Sequence, residues 1–214
     1  PLNPNDKQIR DAFISWGYLI RKAASGLLDI EANEIDVAYR IHNNKREIYI
    51  VEKLENGAGY CNYLSGRLFD HIPTDAFIKP LDKGGDIYED LNSEDHKKRC
   101  SSSCYDCIRD FGNQQYHSNL NWKLGFDLVK LSKDKNATIN FLSEYWIEYI
   151  NQIVQKFSDF KEIEKGIFVI KHEGVKILVT HPFWSVNYTD SLKSSLNGKV
   201  FNKNVFEIET MLRA

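Results

Sequence analysis

The run that decides the fold is Cys100-Ser101-Ser102-Ser103-Cys104-Tyr105-Asp106-Cys107, which places three thiols within eight residues. Zinc takes thiolates at about 2.3 Å in a tetrahedron, and a turn with two or three residues between ligands can wrap one ion. The three serines add no bulk and can hydrogen-bond sulfur, while Arg99 and Arg109 flank the run and offset thiolate charge. Three thiols leave one corner to fill. Cys61, the remaining cysteine, is the expected fourth ligand, with His96 its main rival and His117 behind. Through Cys61 the ion would tie an upstream unit to the knuckle. Four protein ligands leave no open position, so the expected Zn2+ is structural and supplies no catalytic group. The alternatives are reduced, metal-free thiols and, behind them, a disulfide. Clustered thiols without a secretory signal point to a reducing, cytoplasmic setting and to metal rather than disulfides.

Upstream of the knuckle, apolar residues from Ile9 through Trp16 and Leu19 to Ala24 recur at helical intervals, with Asn5 or Asp6 as N-cap and Gly26 weakening or ending the helix. Residues 35–41 and 47–53 alternate and are β-branched, which predicts a hairpin. Asn56-Gly57-Ala58-Gly59 breaks the second strand, and Tyr60, Leu64, Leu68 and Phe69 resume helical spacing. Residues 71–99 are polar with few large apolar groups and read as an irregular, mobile surface excursion.

Downstream, Leu120 to Leu131 form another helix, and the natural boundary lies near residue 133. Residues 139–157 carry an aromatic stripe (Phe141, Tyr145, Trp146, Tyr149) on a long amphipathic helix. Residues 166–171 and 175–180 predict a second hairpin, followed by a short helix at 189–196 and a strand at 205–208. The expected fold class is α+β: helices packed on small antiparallel hairpins around a zinc knuckle at 1–133, followed by a smaller α/β C-terminal extension at 134–214.

With 42% hydrophobic and 27% charged residues, 214 residues can bury one sizeable core or two small ones. A net charge of −2 lacks the basic excess of a dedicated phosphate-backbone binder, so any nucleic-acid contact must be local. No apolar run reaches the about 20 residues that span a bilayer, so no membrane partner is expected. The chain starts at Pro1 and its only Met is Met211, which fits a fragment of a longer polypeptide.

Other motifs are weak. Gly57-Ala58-Gly59 lacks the dinucleotide fingerprint, and no phosphate-loop Gly-Lys-Ser/Thr is present, so no ATPase centre is expected. His172-Glu173-Gly174-Val175-Lys176 fails as a metalloprotease helix, and Glu173 and Lys176 miss the Glu-x-Lys spacing of restriction-type nucleases. His181-Pro182-Phe183-Trp184 reads as a core cap before a stacking platform. Arg99, Arg109, Lys123 and Lys130, near Trp122 and Tyr116, could form a phosphate-binding patch, diluted by Asp106, Asp110 and Asp127; an ordinary solvated face is the equal alternative. No catalytic residues stand out.

The order Glu52-Lys-Leu-Glu-Asn-Gly-Ala-Gly-Tyr-Cys61, a variable insert, Cys100 to His117, then Leu120-Asn-Trp-Lys-Leu-Gly-Phe-Asp127 resembles the four-cysteine zinc-binding domain at the C-termini of many DEAD/DEAH-box helicases. Repair helicases of the Mrf type and components of the DISARM phage-defence system are examples. The resemblance covers residues 9–131. It implies zinc held by Cys61, Cys100, Cys104 and Cys107, with Asn113 and His117 at polar positions after the knuckle. It departs at Glu52, where an Asp is expected. It further implies a non-catalytic accessory module of a DNA-repair or antiviral-defence protein, acting on DNA through its parent beside a helicase motor in cis or in a partner subunit. A protein-interaction module or a nuclease-like C-terminal domain is the alternative.

Overall fold

The 22 residues Lys7–Leu28 carry apolar side chains on one face, and the computed structural model forms them into a single helix, α1. The structure describes residues 6–43, 45–54, 57–69 and 75–212. Asp6 caps α1 by accepting from the backbone N–H of Gln8 (2.8 Å) and Ile9. Asn5, the other expected cap, lies outside the described residues, as do Asn44, Asn56 and positions 71–74 of the expected excursion. Gly26 does not end the helix; Asp29 does, in the left-handed conformation (φ 54°). No helix among the described residues is long and apolar enough to cross a membrane.

The chain forms two compact units, Pro4–Ala137 and Thr138–Ala214. In the first, strands β1 (Ile35–His42) and β2 (Lys45–Glu52) pair antiparallel as the expected hairpin. α1 lies hard against it: a Cβ on Gly17 would stand 2.6 Å from Val37 Cγ1. On its other side α1 packs on α6 (Trp122–Lys133), where a Cβ on Gly125 would stand 2.6 Å from Leu19 Cδ1. Two glycines thus set the spacing of hairpin, helix and helix. Helix α2 (Tyr60–Phe69) follows the glycine turn. Glu52 closes that turn, accepting from the N–H groups of Gly59 (3.1 Å) and Cys61 (2.7 Å), so the acid has a capping task here.

The described part of the 71–99 excursion is helical, not irregular. It holds α3 (Asp75–Ile78), a 3-10 turn at Lys79–Leu81, α4 (Asp86–Asn92) and α5 (Glu94–Arg99). Leu81, Ile87, Tyr88 and Leu91 are buried. α5 forms from a polar hexapeptide because its ends are matched to the helix dipole: Ser93 caps it, Glu94 and Asp95 begin it, and Lys97 to Arg99 end it.

The second unit opens with α7 (Glu144–Val154), shorter at both ends than the expected 139–157, with Ser143 at the N-cap position in extended conformation. A four-stranded sheet follows in the order β3 (Asp159–Glu164), β4 (Ile167–His172), β5 (Val175–Thr180), β6 (Val200–Asn204). β4 and β5 are the expected hairpin; β6 is parallel to β5, reached through α8 (Val186–Ser194). The expected strand at 205–208 is instead helix α9 (Val205–Met211), started by a reciprocal cap between Asn204 and Glu207. His181 is buried among Phe141, Trp146 and Phe183, and Trp184 donates to the Ile139 carbonyl at 2.8 Å. The His-Pro-Phe-Trp run therefore caps this core. Each unit mixes helices with a sheet, so the chain is α+β, and the cysteine-rich knuckle belongs to the first unit.

Candidate metal centre

α5 is a turn and a half long, and its end places His96 four residues before Cys100, on the same helical face. The chain then turns through Ser101–Ser103 and folds back tightly: the N–H groups of Cys107 (3.2 Å) and Arg109 (3.0 Å) both donate to the Cys104 carbonyl. These two local structures bring His96, Cys100, Cys104 and Cys107 together with all ligand atoms within 4.8 Å of one another. The separations are 3.8 Å for Cys100 Sγ to Cys107 Sγ, 3.6 Å for Cys104 Sγ to Cys107 Sγ, and 3.5 Å for Cys104 Sγ to His96 Nε2.

Those values test whether zinc fits. Tetrahedral bonds of about 2.3 Å to sulfur and about 2.0–2.1 Å to nitrogen require edges of about 3.8 Å between sulfurs and about 3.5 Å between sulfur and nitrogen. The set matches. His96 Nδ1 lies 2.8 Å from the Leu91 carbonyl, which fixes that nitrogen as the N–H and leaves Nε2 bare as a ligand. The Cys104 N–H donates to Cys107 Sγ at 3.0 Å, a bond that favours thiolate. Hydrogen bonding from Cys100 holds Cys107 well below the ordinary thiol range, against the effect of its burial. Cys100 is pushed far up by the same bond and by burial. Burial alone would lower His96, but hydrogen bonding to Cys107 and to Leu91 raises it on balance. Of the Cys100 and Cys107 pair, Cys107 is the thiol whose surroundings favour ionisation.

The serines serve the knuckle differently from expectation. The Ser102 carbonyl accepts from the Trp122 N–H at 2.9 Å, the Ser101 carbonyl accepts from Lys123 Nζ, and Ser103 Oγ accepts from Arg109 Nε at 2.8 Å. The first turn of α6 is thereby clamped to the knuckle, with the Trp122 ring 5.3 Å from that of His96.

Cys61 stands apart from this group. Because the Glu52-capped turn sends α2 back along β2, its Sγ donates to the Ile50 carbonyl at 3.3 Å, and burial raises its pKa. His96, and not Cys61, is grouped with the three clustered thiols. His117 is also elsewhere, donating from Nε2 to the Asp110 carbonyl (3.0 Å) and Asn113 Oδ1 (2.9 Å). Asn113, fully buried, pins the same loop through the Ile108 carbonyl.

The expected basic patch is dispersed. Lys123 is 3% exposed and turned into the knuckle, so it presents no charge to a phosphate. Arg109 is occupied by Ser103, and Arg99 bridges Asp95 (2.8 Å) and Asp106 (2.9 Å) at the surface. Lys130 is half-buried on α6.

What sequence reasoning missed is a charge network under the knuckle. Arg21, 4% exposed on α1, pairs with Asp110 after the knuckle and with Asp36 of β1 at 3.5 Å, and stacks over Tyr18. The signal was available: Arg21 continues the buried Ile14-Tyr18 face at helical spacing, where a cation requires acids. Arg21→Met is expected to cost about 2–3 kcal/mol in urea unfolding, below the about 3–5 kcal/mol of a fully buried broken pair because both acids keep some solvent. A loss under about 0.5 kcal/mol would show that the network carries no weight.

No curated protein and no solved structure matches the chain. A family model does match, over a stretch that begins inside α1 and ends one residue past the last thiol of the cluster: residues 16–108, which build the hairpin, the capped turn and the knuckle, match the MrfA Zn-binding domain.

Proposed function

We propose that the first unit is a non-catalytic accessory module of a helicase-like DNA-processing or phage-defence protein. In this reading zinc is held by His96, Cys100, Cys104 and Cys107, and the unit helps its parent engage nucleic acid. The observation that carries the proposal is the donor set itself: four protein atoms within 4.8 Å of one another can fill every corner of a tetrahedral ion, which would leave none for water or substrate. Zinc there supplies a cross-link and shields thiolate charge. The match to the MrfA Zn-binding domain supports a larger parent with such a module.

A fluorescently labelled oligonucleotide titrated with the zinc-loaded chain tests the nucleic-acid part. Binding is expected to weaken steeply with salt and to vanish after chelation. Absence of binding by the zinc-loaded chain, or equal binding by the stripped chain, would overturn it.

A further inference from the structure

Single exposed apolar residues need no explanation, but two aromatic rings beside the knuckle differ from that background. Phe111 is 84% exposed and Tyr105 is 66% exposed. Neither sits on a loose segment. Asp110 and Asn113 cap each other reciprocally around Phe111, Asp110 is bound by Arg21, and Asn113 is fully buried. Tyr105 rests edge-on against the His117 ring at 5.6 Å, and His117 is bonded to Asp110 and Asn113. Both rings are thus held on one pinned loop.

Each ring has an ammonium at the next residue. Lys22 Nζ donates to the carbonyl of Asp106 at 3.3 Å, directly after Tyr105. Lys53 Nζ lies against Gly112, directly after Phe111, close enough that a Cβ there would be 2.7 Å away. The nearby acids are engaged by arginines: Asp106 by Arg99, and Asp36 and Asp110 by Arg21. Lys53 also lies 3.7 Å from Asp36. Rings paired with cations are what a strand with unstacked bases and regularly spaced phosphates requires; a duplex keeps its base faces covered.

We propose that Tyr105 and Phe111 form a stacking ledge for bases of single-stranded nucleic acid, with Lys22 and Lys53 placed for the adjoining phosphates. This rests on the nucleic-acid reading above and names the surface and the form of the ligand. The test measures anisotropy of labelled oligo(dT) and oligo(rU) of about 15 nucleotides, and of a duplex of equal length, against the zinc-loaded chain. Phe111→Ala is expected to weaken single-strand binding about tenfold and to leave duplex binding unchanged. Lys22→Gln and Lys53→Gln should each lower the salt slope by about 0.7. Preference for either sugar supports the ledge and names the strand. Zinc content and circular dichroism check folding, and Phe111→Ala, being so exposed, carries the test if Tyr105→Ala does not fold. Undiminished oligonucleotide binding in the ring variants overturns the ledge and leaves the broader reading standing. Failure of the unaltered chain to bind any oligonucleotide overturns both.

Discussion

Stripping the purified chain with a strong chelator is expected to release one zinc ion per chain and to unfold the knuckle region. Structural zinc contributes an apparent about 10–16 kcal/mol at neutral pH, against a total stability of about 5–15 kcal/mol for a typical domain. Without the ion, three sulfurs and a histidine are left crowded within 4.8 Å of one another, and the clamp from Ser101–Ser103 to α6 loses its fixed end. The α1–α6 packing retains apolar burial of its own, so the loss should be graded, steepest at residues 96–127. Metal analysis by mass spectrometry and hydrogen exchange before and after chelation would check this. A chain that purifies without metal and exchanges no faster after chelation would refute the site.

The second large effect separates the four corners from the fifth candidate. Cys107→Ser and His96→Ala should each weaken zinc binding by more than about 100-fold, above the about 10- to 100-fold seen for outer-sphere changes. Cys107 is the sharper case because it meets both Cys100 and Cys104 and accepts the Cys104 N–H. Cys61→Ser should leave zinc affinity within about twofold and cost only the packing of one half-buried thiol. A Cys61→Ser chain as metal-poor as Cys107→Ser, with His96→Ala fully loaded, would reverse the ligand assignment. Competition against a chromogenic chelator reads all three.

Much of the fold was legible where periodicity was strong. α1, the first hairpin, α6 and the β4–β5 hairpin lie close to their expected positions, because each buries a regular apolar face. The helices at 86–99 were missed because they are short and polar, and their signals are caps and end charges rather than hydrophobic spacing. β3 was missed for the same reason: its residues are exposed, and only pairing with β4 orders it. α9 follows from a capping box that an apolar run disguised as a strand. At the metal centre the three clustered thiols were plain, while the fourth corner depended on weighing a cysteine against a histidine. What brings His96 beside the thiols is the spacing His96-x-x-x-Cys100 across the end of one short helix, and it could be seen only once 94–99 was known to be helical.

Because the four grouped side chains fall within residues 96–107, an ion held by them would close a short ring of backbone rather than a long one reaching back to residue 61. A ring about four times smaller costs about 1 kcal/mol less closure entropy. More telling is the order of events that this permits. Once position 107 has left the ribosome, every donor is present, and capture does not wait for α1 and the hairpin to dock. Metal capture then depends on one short stretch of chain and not on the pairing of β1 with β2.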